Sequence, residues 1–290
     1  MKHKALLLSL FLITFTPDFA LAETFFDVAA GVRRDDNLGN GNLSPYIFSD
    51  TIFTTAVTAG HTLLLNDMDD FLTMKFQFQN ESFYRFDGMS NYSAGGSLAY
   101  RHKFGLGAFA PWISPVLSFD RLNYVNSVRD GWLQQAGIKG GKRISERLDF
   151  WGTFTFDNRL SDHTASVVTG VSGAVFEQKN ENLSLNMEYT YTDSMFFTLG
   201  YGLRAGDVVV TSLDRRIFNI SKAIRPDTAI GSNLFAYRLY GITNIFNPGL
   251  GLAINPHCLL SISYQREMTR ADGGNNYNKN LFSITGSYNF

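Results

Sequence analysis

The most regular feature of the chain is an alternation of apolar and polar residues over short segments. In the segment 72–79, every second position is apolar: Leu72, Met74, Phe76 and Phe78. The same period of two recurs over 148–157, 183–192, 197–204 and 282–290. Because successive side chains of a strand point to opposite faces, this period predicts β-strands with one apolar face.

The polar face of these strands predicts a barrel in a membrane. It consists largely of Gly, Ser, Thr, Asn and Gln, with scattered charges, whereas the polar face of a soluble sandwich carries many charges. A polar lumen with an apolar outer face is typical of a transmembrane β-barrel. The alternative is a secreted, soluble β protein, which would be recovered without detergent.

Turn signals divide the chain into about fourteen strands, with twelve to sixteen possible. The predicted spans are 25–34, 52–65, 71–84, 92–104, 111–125, 130–144, 147–159, 164–178, 181–193, 195–205, 207–214, 234–247, 257–270 and 279–290. Short connections at 66–70, 105–110, 145–146, 179–180, Gly206 and 248–256 are expected to alternate with longer ones, of which 34–51, 213–233 and 271–278 are the longest. Short periplasmic turns and long outer loops are typical of bacterial barrels, and an even count places both chain ends in the periplasm.

The first 22 residues have the pattern of a secretory signal peptide. A basic Met1–Lys4 precedes an apolar run over 5–15, and Ala20-Leu21-Ala22 offers a small-x-small cleavage site. The apolar run is too short to span a bilayer as a helix, and no later segment approaches the ~18 apolar residues that a spanning helix needs. We therefore expect a mature chain of 23–290 that forms one domain.

The composition of the chain excludes several classes of function. The net charge of -1 argues against a nucleic-acid binder, and a single cysteine excludes an internal disulfide framework. We expect no cofactor and no metal. Asp67, Asp69 and Asp70 form an acidic group that could hold calcium, but the run lacks the Gly and distal Glu of a calcium loop, so a solvated turn is the better interpretation.

The signal peptide, the alternating strands and the last nine residues together resemble a Gram-negative outer-membrane β-barrel protein. The segment 282–290 ends in an aromatic residue and has aromatic or apolar residues at alternate positions before it. The resemblance implies that Tyr288 and Phe290 belong to the signal read by the barrel-assembly machinery. It also implies outer-membrane lipid and lipopolysaccharide as partners.

The charged residues of the polar face are candidates for a pore lining. Alternation places Arg33, Lys75, Arg101, Lys103, Lys139, Arg159, Arg204 and Arg238 inside, with Asp27, Asp149, Asp157, Glu188 and Glu267. We select Lys75, Arg101, Lys103, Lys139 and Arg204 as an electrostatic lining, since charges inside a pore set its ion selectivity. The alternative is that the charges pair across the lumen and close it. Of the three tryptophans, only Trp151 has the phase of the inner face, and an interfacial girdle explains most aromatic residues.

The sequence therefore predicts a passive, porin-like channel or export conduit for small hydrophilic or anionic solutes. A closed structural or surface-display barrel is the first alternative. The second is an outer-membrane hydrolase with Asp36, Asp162 and His163 as its candidate cluster, although their spacing departs from that of omptin proteases and of the outer-membrane phospholipase. The long loop 214–233, with four basic residues, is expected either to fold inward as a constriction or to face lipopolysaccharide.

Overall fold

The chain forms one antiparallel sheet that closes on itself. The structure is a computed structural model and describes residues 23–66 and 69–290; the predicted signal peptide lies outside the described residues. The strands are β1 (Glu23–Asp35), β2 (Asp50–Asn66), β3 (Asp70–Phe83), β4 (Asn91–Lys103), β5 (Trp112–Tyr124), β6 (Gly131–Ser145), β7 (Leu148–Ser161), β8 (Gln178–Thr192), β9 (Met195–Ser212), β10 (Ala223–Pro226), β11 (Phe235–Asn255), β12 (Cys258–Ala271) and β13 (Tyr277–Asn289).

Twelve of the thirteen strands build the barrel, and one lies outside the ring. Neighbours in sequence pair along the wall, β9 pairs with β11, and β1 closes the ring against β13, with Val28 opposite Tyr288. The short β10 pairs only with the first residues of β11, beyond the end of β12. The all-β barrel predicted from the sequence is confirmed, at the lower limit of the expected strand number.

The outer face of the barrel is apolar. Phe76 is 58% exposed, and Leu117, Phe154 and Leu185 are exposed in the same way on other strands. The residues between them, such as Lys75 and Gln77, point to the inside. In the described ranges no helix is long and apolar enough to cross a membrane.

The predicted strand 164–178 is wrong, because this segment belongs to a loop of residues 162–177 and β8 begins only at Gln178. Its alternating apolar residues have another partner. Val175 and Phe176 are fully buried against Ala223 and Ala236, while Gly170, with φ of 79°, turns the chain between Val168 and Val171. The apolar residues of 164–178 that resembled a strand therefore serve packing within the loop region, and the segment is not a strand of the barrel wall.

The predicted turn at Gly206 is also wrong, since the segments 195–205 and 207–214 form the single strand β9. Gly206 lies between Asn180 of β8 and Gly241 of β11. A Cβ at this position would come within 2.2 Å of the carbonyl oxygen of Lys179. The glycine permits close approach of neighbouring backbones, a role that sequence alone does not separate from a turn.

Two further predicted turns lie inside strands. Lys179 and Asn180 are part of β8, and most of 248–256 belongs to β11. Pro248 lacks an N–H, so the ladder to β12 is interrupted between Phe246 and Gly249, but it resumes in the same register. Losing the strand 164–178 and merging β9 each remove one strand, which takes the count from about fourteen to the twelve of the barrel, an even number within the expected range.

The C-terminal residues lie at the seam where the barrel closes. The Phe290 ring lies 4.7 Å from the Tyr288 ring and 5.4 Å from the Phe26 ring of β1, measured between centroids. The backbone N–H of Phe290 donates to the carbonyl of Phe26. These contacts fasten the last strand to the first, and the role of Tyr288 and Phe290 as an assembly signal stays a prediction.

The barrel has two unlike ends. At the terminus end, which holds Glu23 and Phe290, four connections have two or three residues (67–69, 146–147, 193–194 and 256–257) and one, 104–111, has eight. At the loop end they are 36–49, 84–90, 125–130, 162–177, 213–234 and 272–276. In bacterial barrels the short turns face the periplasm and the longer loops face the outside.

Adjacent positions on β3 test which face contacts lipid. We expect Phe76→Arg to lower the free energy of unfolding in lipid vesicles by about 2–4 kcal/mol, because a charge would face hydrocarbon. Gln77→Arg is the matched control: its side chain points inward and donates to Asp120, so the cost should be under about 1 kcal/mol. Urea titration of vesicle-folded protein measures both, and equal losses would contradict the orientation.

Candidate functional site

Four of the selected cations line one side of the lumen toward the terminus end. We call Lys75, Arg101, Lys103 and Lys139 the basic wall. They lie on β3, β4 and β6, with β5 between the last two. In the ladder, Lys75 lies opposite Ser97 of β4, Lys103 opposite Trp112 of β5 and Lys139 opposite Ser114 of β5. Lys75 and Arg101 are near enough to Lys139 for their like charges to interact.

Aromatic rings contact three of the four cations of the basic wall. The Arg101 guanidinium lies 4.4 Å from the centre of the Trp112 ring, and the Lys139 ammonium lies 5.7 Å from Trp112 and 5.5 Å from Trp151. The Lys75 ammonium lies 5.6 Å from the Phe25 ring. Such cation–π contacts stabilise a cation without neutralising its charge.

Trp112 corrects the sequence analysis, which placed only Trp151 inside. The two rings face the lumen on either side of Gly141, where a Cβ would come within 2.8 Å of both side chains. Trp132 faces outward and stacks on Phe119. Trp112 lies at the same alternate positions of β5 as the polar residues Ser114, Ser118 and Asp120, which indicates the inner face. The adjacent apolar residues Pro115 and Val116 interrupt the alternation and hide this indication in the sequence.

The basic wall has no carboxylate partners. Among the residues that the structure describes, no carboxylate oxygen lies within 4.0 Å of the charged nitrogens of Lys75, Arg101, Lys103, Lys139 or Arg204. Other inward charges do pair: Arg33 with Glu81 at 3.0 Å, Arg143 with Asp149 at 3.1 Å and Lys279 with Asp35 at 2.9 Å. None of the five selected cations is therefore in an ion pair, although Asp149 and Glu188 line the same cavity as Arg101 and Lys139.

The loop end is covered by a cap, which we define as residues 36–49, 162–177 and 213–234. The first of these segments crosses the mouth: Gly39 accepts from the backbone N–H of Thr211, and the Asn40 side chain donates to the carbonyl of Val209. Both partners are on β9, which β11, β12 and β13 separate from β1. Asn40 adopts a positive φ of 54° at this contact.

The longest segment of the cap crosses the mouth from the other side. It starts at β9 and reaches the 125–130 loop, where the Asn126 side chain donates to Thr228 Oγ1 at 2.7 Å. It also touches the 84–90 loop, since a Cβ on Gly88 would lie 2.9 Å from Ala229 Cα. Of the two predicted positions for the loop 214–233, the structure shows the inward one.

A buried ion pair lies at the centre of the cap. Arg129 Nη2 donates to both carboxylate oxygens of Asp227, at 2.8 and 2.7 Å, and the side chains are only 9% and 1% exposed. The Thr211 hydroxyl donates to the same carboxylate, and the guanidinium of Arg129 lies 4.4 Å from the Phe176 ring. The pair therefore joins the 125–130 loop, β9 and two segments of the cap.

The buried apolar residues support the cap and not the wall. One cluster joins Ile217 and Ile224 of the cap to side chains from the loop end of the wall: Val208, Val210, Tyr237, Leu239, Ala271 and Tyr277. The second contains Val175, Phe176, Ala223 and Ala236. Both clusters lie at the loop end, where the cap packs against side chains of the wall strands β9, β11, β12 and β13.

The candidate hydrolase residues do not form a site. Asp36 accepts from the backbone and side chain of Asn280 on β13, whereas Asp162 accepts from both terminal nitrogens of Arg121 on β5. Hydrogen bonds from Arg121 lower the pKa of Asp162 below its ordinary value, which keeps it ionised and paired. The side chain of His163 has no hydrogen bond to Asp36, Asp162 or Ser161 in the described part of the chain.

Of the acidic residues Asp67, Asp69 and Asp70, which were considered as a calcium site, Asp70 makes hydrogen bonds to other side chains. Asp70 accepts from Tyr100 Oη at 2.6 Å and contacts His102 Nδ1 at 2.7 Å, while Asp67 lies outside the described residues. Within 23–66 and 69–290, no three His, Cys, Asp or Glu side chains come together in an arrangement suited to a metal ion.

The closed barrel is similar to solved structures. An outer-membrane channel from Pseudomonas putida F1 is 12% identical in sequence, with a TM-score of 0.57 over 95% of this chain and 100% of that one. The chain has the fold of an outer-membrane β-barrel. The resemblance stated from the sequence is therefore confirmed as far as architecture is concerned.

Two further structures resemble this outer-membrane barrel less closely. The NanC porin is 13% identical, with a TM-score of 0.48 over 91% of this chain and 98% of that one. The DcaP channel of Acinetobacter baumannii is 8% identical, with a TM-score of 0.43 over 93% and 97%. No protein-family model matches the sequence, and no curated protein matches it.

The buried pair predicts that the cap can be loosened without unfolding the barrel. Arg129→Met leaves Asp227 as an uncompensated buried charge, which should destabilise the cap by about 3–5 kcal/mol. We expect trypsin to cut the segment 213–234 faster, while the barrel still migrates as a compact band before heating. Mass spectrometry of the fragments measures the change.

The matched control for this prediction replaces both partners. Arg129→Met combined with Asp227→Leu leaves no unpaired charge, and we expect cleavage to return toward the wild-type rate. If Arg129→Met alone left the cleavage rate of 213–234 unchanged, the ion pair would not hold the cap closed.

Proposed function

We propose that this protein is an outer-membrane channel for small hydrophilic or anionic solutes, with the basic wall as its selectivity lining and the cap as its outer constriction. The observation that carries the proposal is the group of inward cations without carboxylate partners. In a low-dielectric barrel, unneutralised positive charges raise the local concentration of anions and exclude cations.

The polarity of the rest of the lumen supports passage of water-soluble molecules. The inner face also carries small hydroxyl and amide side chains, including Thr54, Thr153, Ser184, Asn186 and Thr285. Side chains of this size leave room in a twelve-stranded barrel. The similar structure from Pseudomonas putida F1 is described as an outer-membrane channel, which is in line with this proposal.

The cap supports restricted passage. Because it is packed on two apolar clusters and held by Arg129 and Asp227, it narrows the path at the loop end. The same observation favours a closed structural or display barrel as the second candidate function. The two candidates differ in one measurable property, since only a channel conducts ions.

Charge reversal on the basic wall tests the proposal. In planar bilayers under a salt gradient, we expect the double variant Arg101→Glu, Lys139→Glu to move the reversal potential toward that of a cation-selective pore. The physical reason is that two unpaired positive charges become negative at the same place in the lumen.

The control for this test is Arg270→Glu. Arg270 is exposed on the outer face of β12, so the reversal potential should remain that of the wild type. A conducting double variant with an unchanged reversal potential would remove the basic wall from the selectivity of the channel. A folded protein without conductance, even after Arg129→Met, would favour the closed barrel.

A further inference from the structure

A cavity of about 280 Å³ lies beneath the cap and is unusually rich in cations. Its lining includes Arg33, Arg129, Arg159, Arg204 and Lys279. These side chains come from β1, the 125–130 loop, β7, β9 and β13, so the cavity is bounded by the wall on several sides and by the cap above. It is separate from the basic wall, none of whose residues lines it.

Three of the five cations are neutralised by carboxylates. Arg33 pairs with Glu81, Arg129 with Asp227 and Lys279 with Asp35. The remaining carboxylate of the lining, Asp207, pairs with Lys222 at 2.7 Å. Glu267 stands opposite Lys279 in the ladder and is not part of the lining.

Arg159 and Arg204 are the surplus cations. Arg159 donates to the backbone carbonyl of Arg129 at 2.7 Å and lies 5.5 Å from the Tyr124 ring and 5.8 Å from the Phe176 ring. In the described ranges, neither guanidinium has a carboxylate oxygen within 4.0 Å. Arg159 is therefore held in place, and neither of the two positive charges is compensated by an ion pair within these ranges.

The cavity also contains donors that no protein group accepts. The Nε atoms of Arg33, Arg129, Arg159 and Arg204 are buried and have no hydrogen-bond partner in the protein, and the side chain of Arg129 is nine-tenths buried. The protein itself therefore does not satisfy every hydrogen-bond donor of these four arginines.

We propose that this cavity is a binding site for a small organic anion with two acidic groups, held by Arg159 and Arg204. Guanidinium groups bind carboxylate and phosphate oxygens through paired hydrogen bonds. The cavity volume of about 280 Å³ is sufficient for a compact solute. This inference rests on the proposed channel, because a solute that passes the cap would enter the cavity on its way through the lumen.

Calorimetric titration of the refolded mature protein with succinate tests the site, with succinamide as a neutral probe of the same size. We expect saturable binding of succinate and at least about tenfold weaker binding of succinamide. Arg159→Met and Arg204→Met should each weaken succinate binding about tenfold, the loss that corresponds to about 1.4 kcal/mol. Arg270→Met, which removes an exposed charge on the outer face, should leave the affinity within about twofold of the wild type.

Each other outcome decides against the site. Absence of saturable succinate binding, equal affinity for succinamide, or full affinity in both methionine variants would overturn the inference. If Arg204→Met does not fold, Arg204→Lys keeps the charge but loses the paired hydrogen bonds and should bind succinate more weakly than the wild type; unchanged binding there would overturn it too.

The test separates this inference from the proposed function. Anion-selective conductance without succinate binding would leave the channel intact and remove the site. Succinate binding by a folded protein without conductance would retain the site and remove the channel.

Discussion

The structure depends on one constraint, which is that backbone N–H and C=O groups facing lipid must all be paired within the protein. A sheet meets this requirement only if it has no free edge, and β1 closes the ring by pairing with β13 from Asp27 to Asp35. Closure of the sheet into a ring then determines which face of each strand points to lipid and which points to the lumen. Apolar side chains face outward on every strand, and the alternate positions face a lumen where polar and charged groups have water available.

Closure also separates two kinds of stability. The wall is held by ladder hydrogen bonds and has no apolar interior, because the side chains that a soluble protein would bury face lipid. The buried apolar residues are found instead at the loop end, where the cap packs on Val208, Val210 and Leu239. The barrel and its cap are thus stabilised by different forces. This explains why a substitution such as Arg129→Met is expected to loosen one without unfolding the other.

The parts that followed from the sequence are those governed by local alternation. The strands β1 to β7, β12 and β13, the orientation of Phe76 and the inward placement of Trp151 follow from a period of two. Predictions from local alternation were wrong where an apolar residue or a glycine contacts residues distant in the sequence. Val175 and Phe176 alternate like a strand but pack inside the cap, and Gly206 makes room for a neighbouring strand and not for a turn.

The candidate site could be predicted only in part, for the same reason. The phase of Lys75, Arg101 and Lys139 is visible in the sequence, but the absence of carboxylate partners depends on distances across several strands. The pair of Arg129 and Asp227 is separated by 98 positions in the chain, and no local pattern links the two residues. The cavity beneath the cap likewise depends on how three loops cross the mouth.

Single-channel recording of the refolded wild-type protein tests the central claim most directly. The claim is that an uncompensated basic lumen beneath a packed cap makes this barrel a narrow, anion-preferring channel. The account predicts small, discrete conductance steps with a reversal potential on the anion side under a potassium chloride gradient. Cation-selective steps, or a protein that is folded by its mobility before heating yet never conducts, would contradict it.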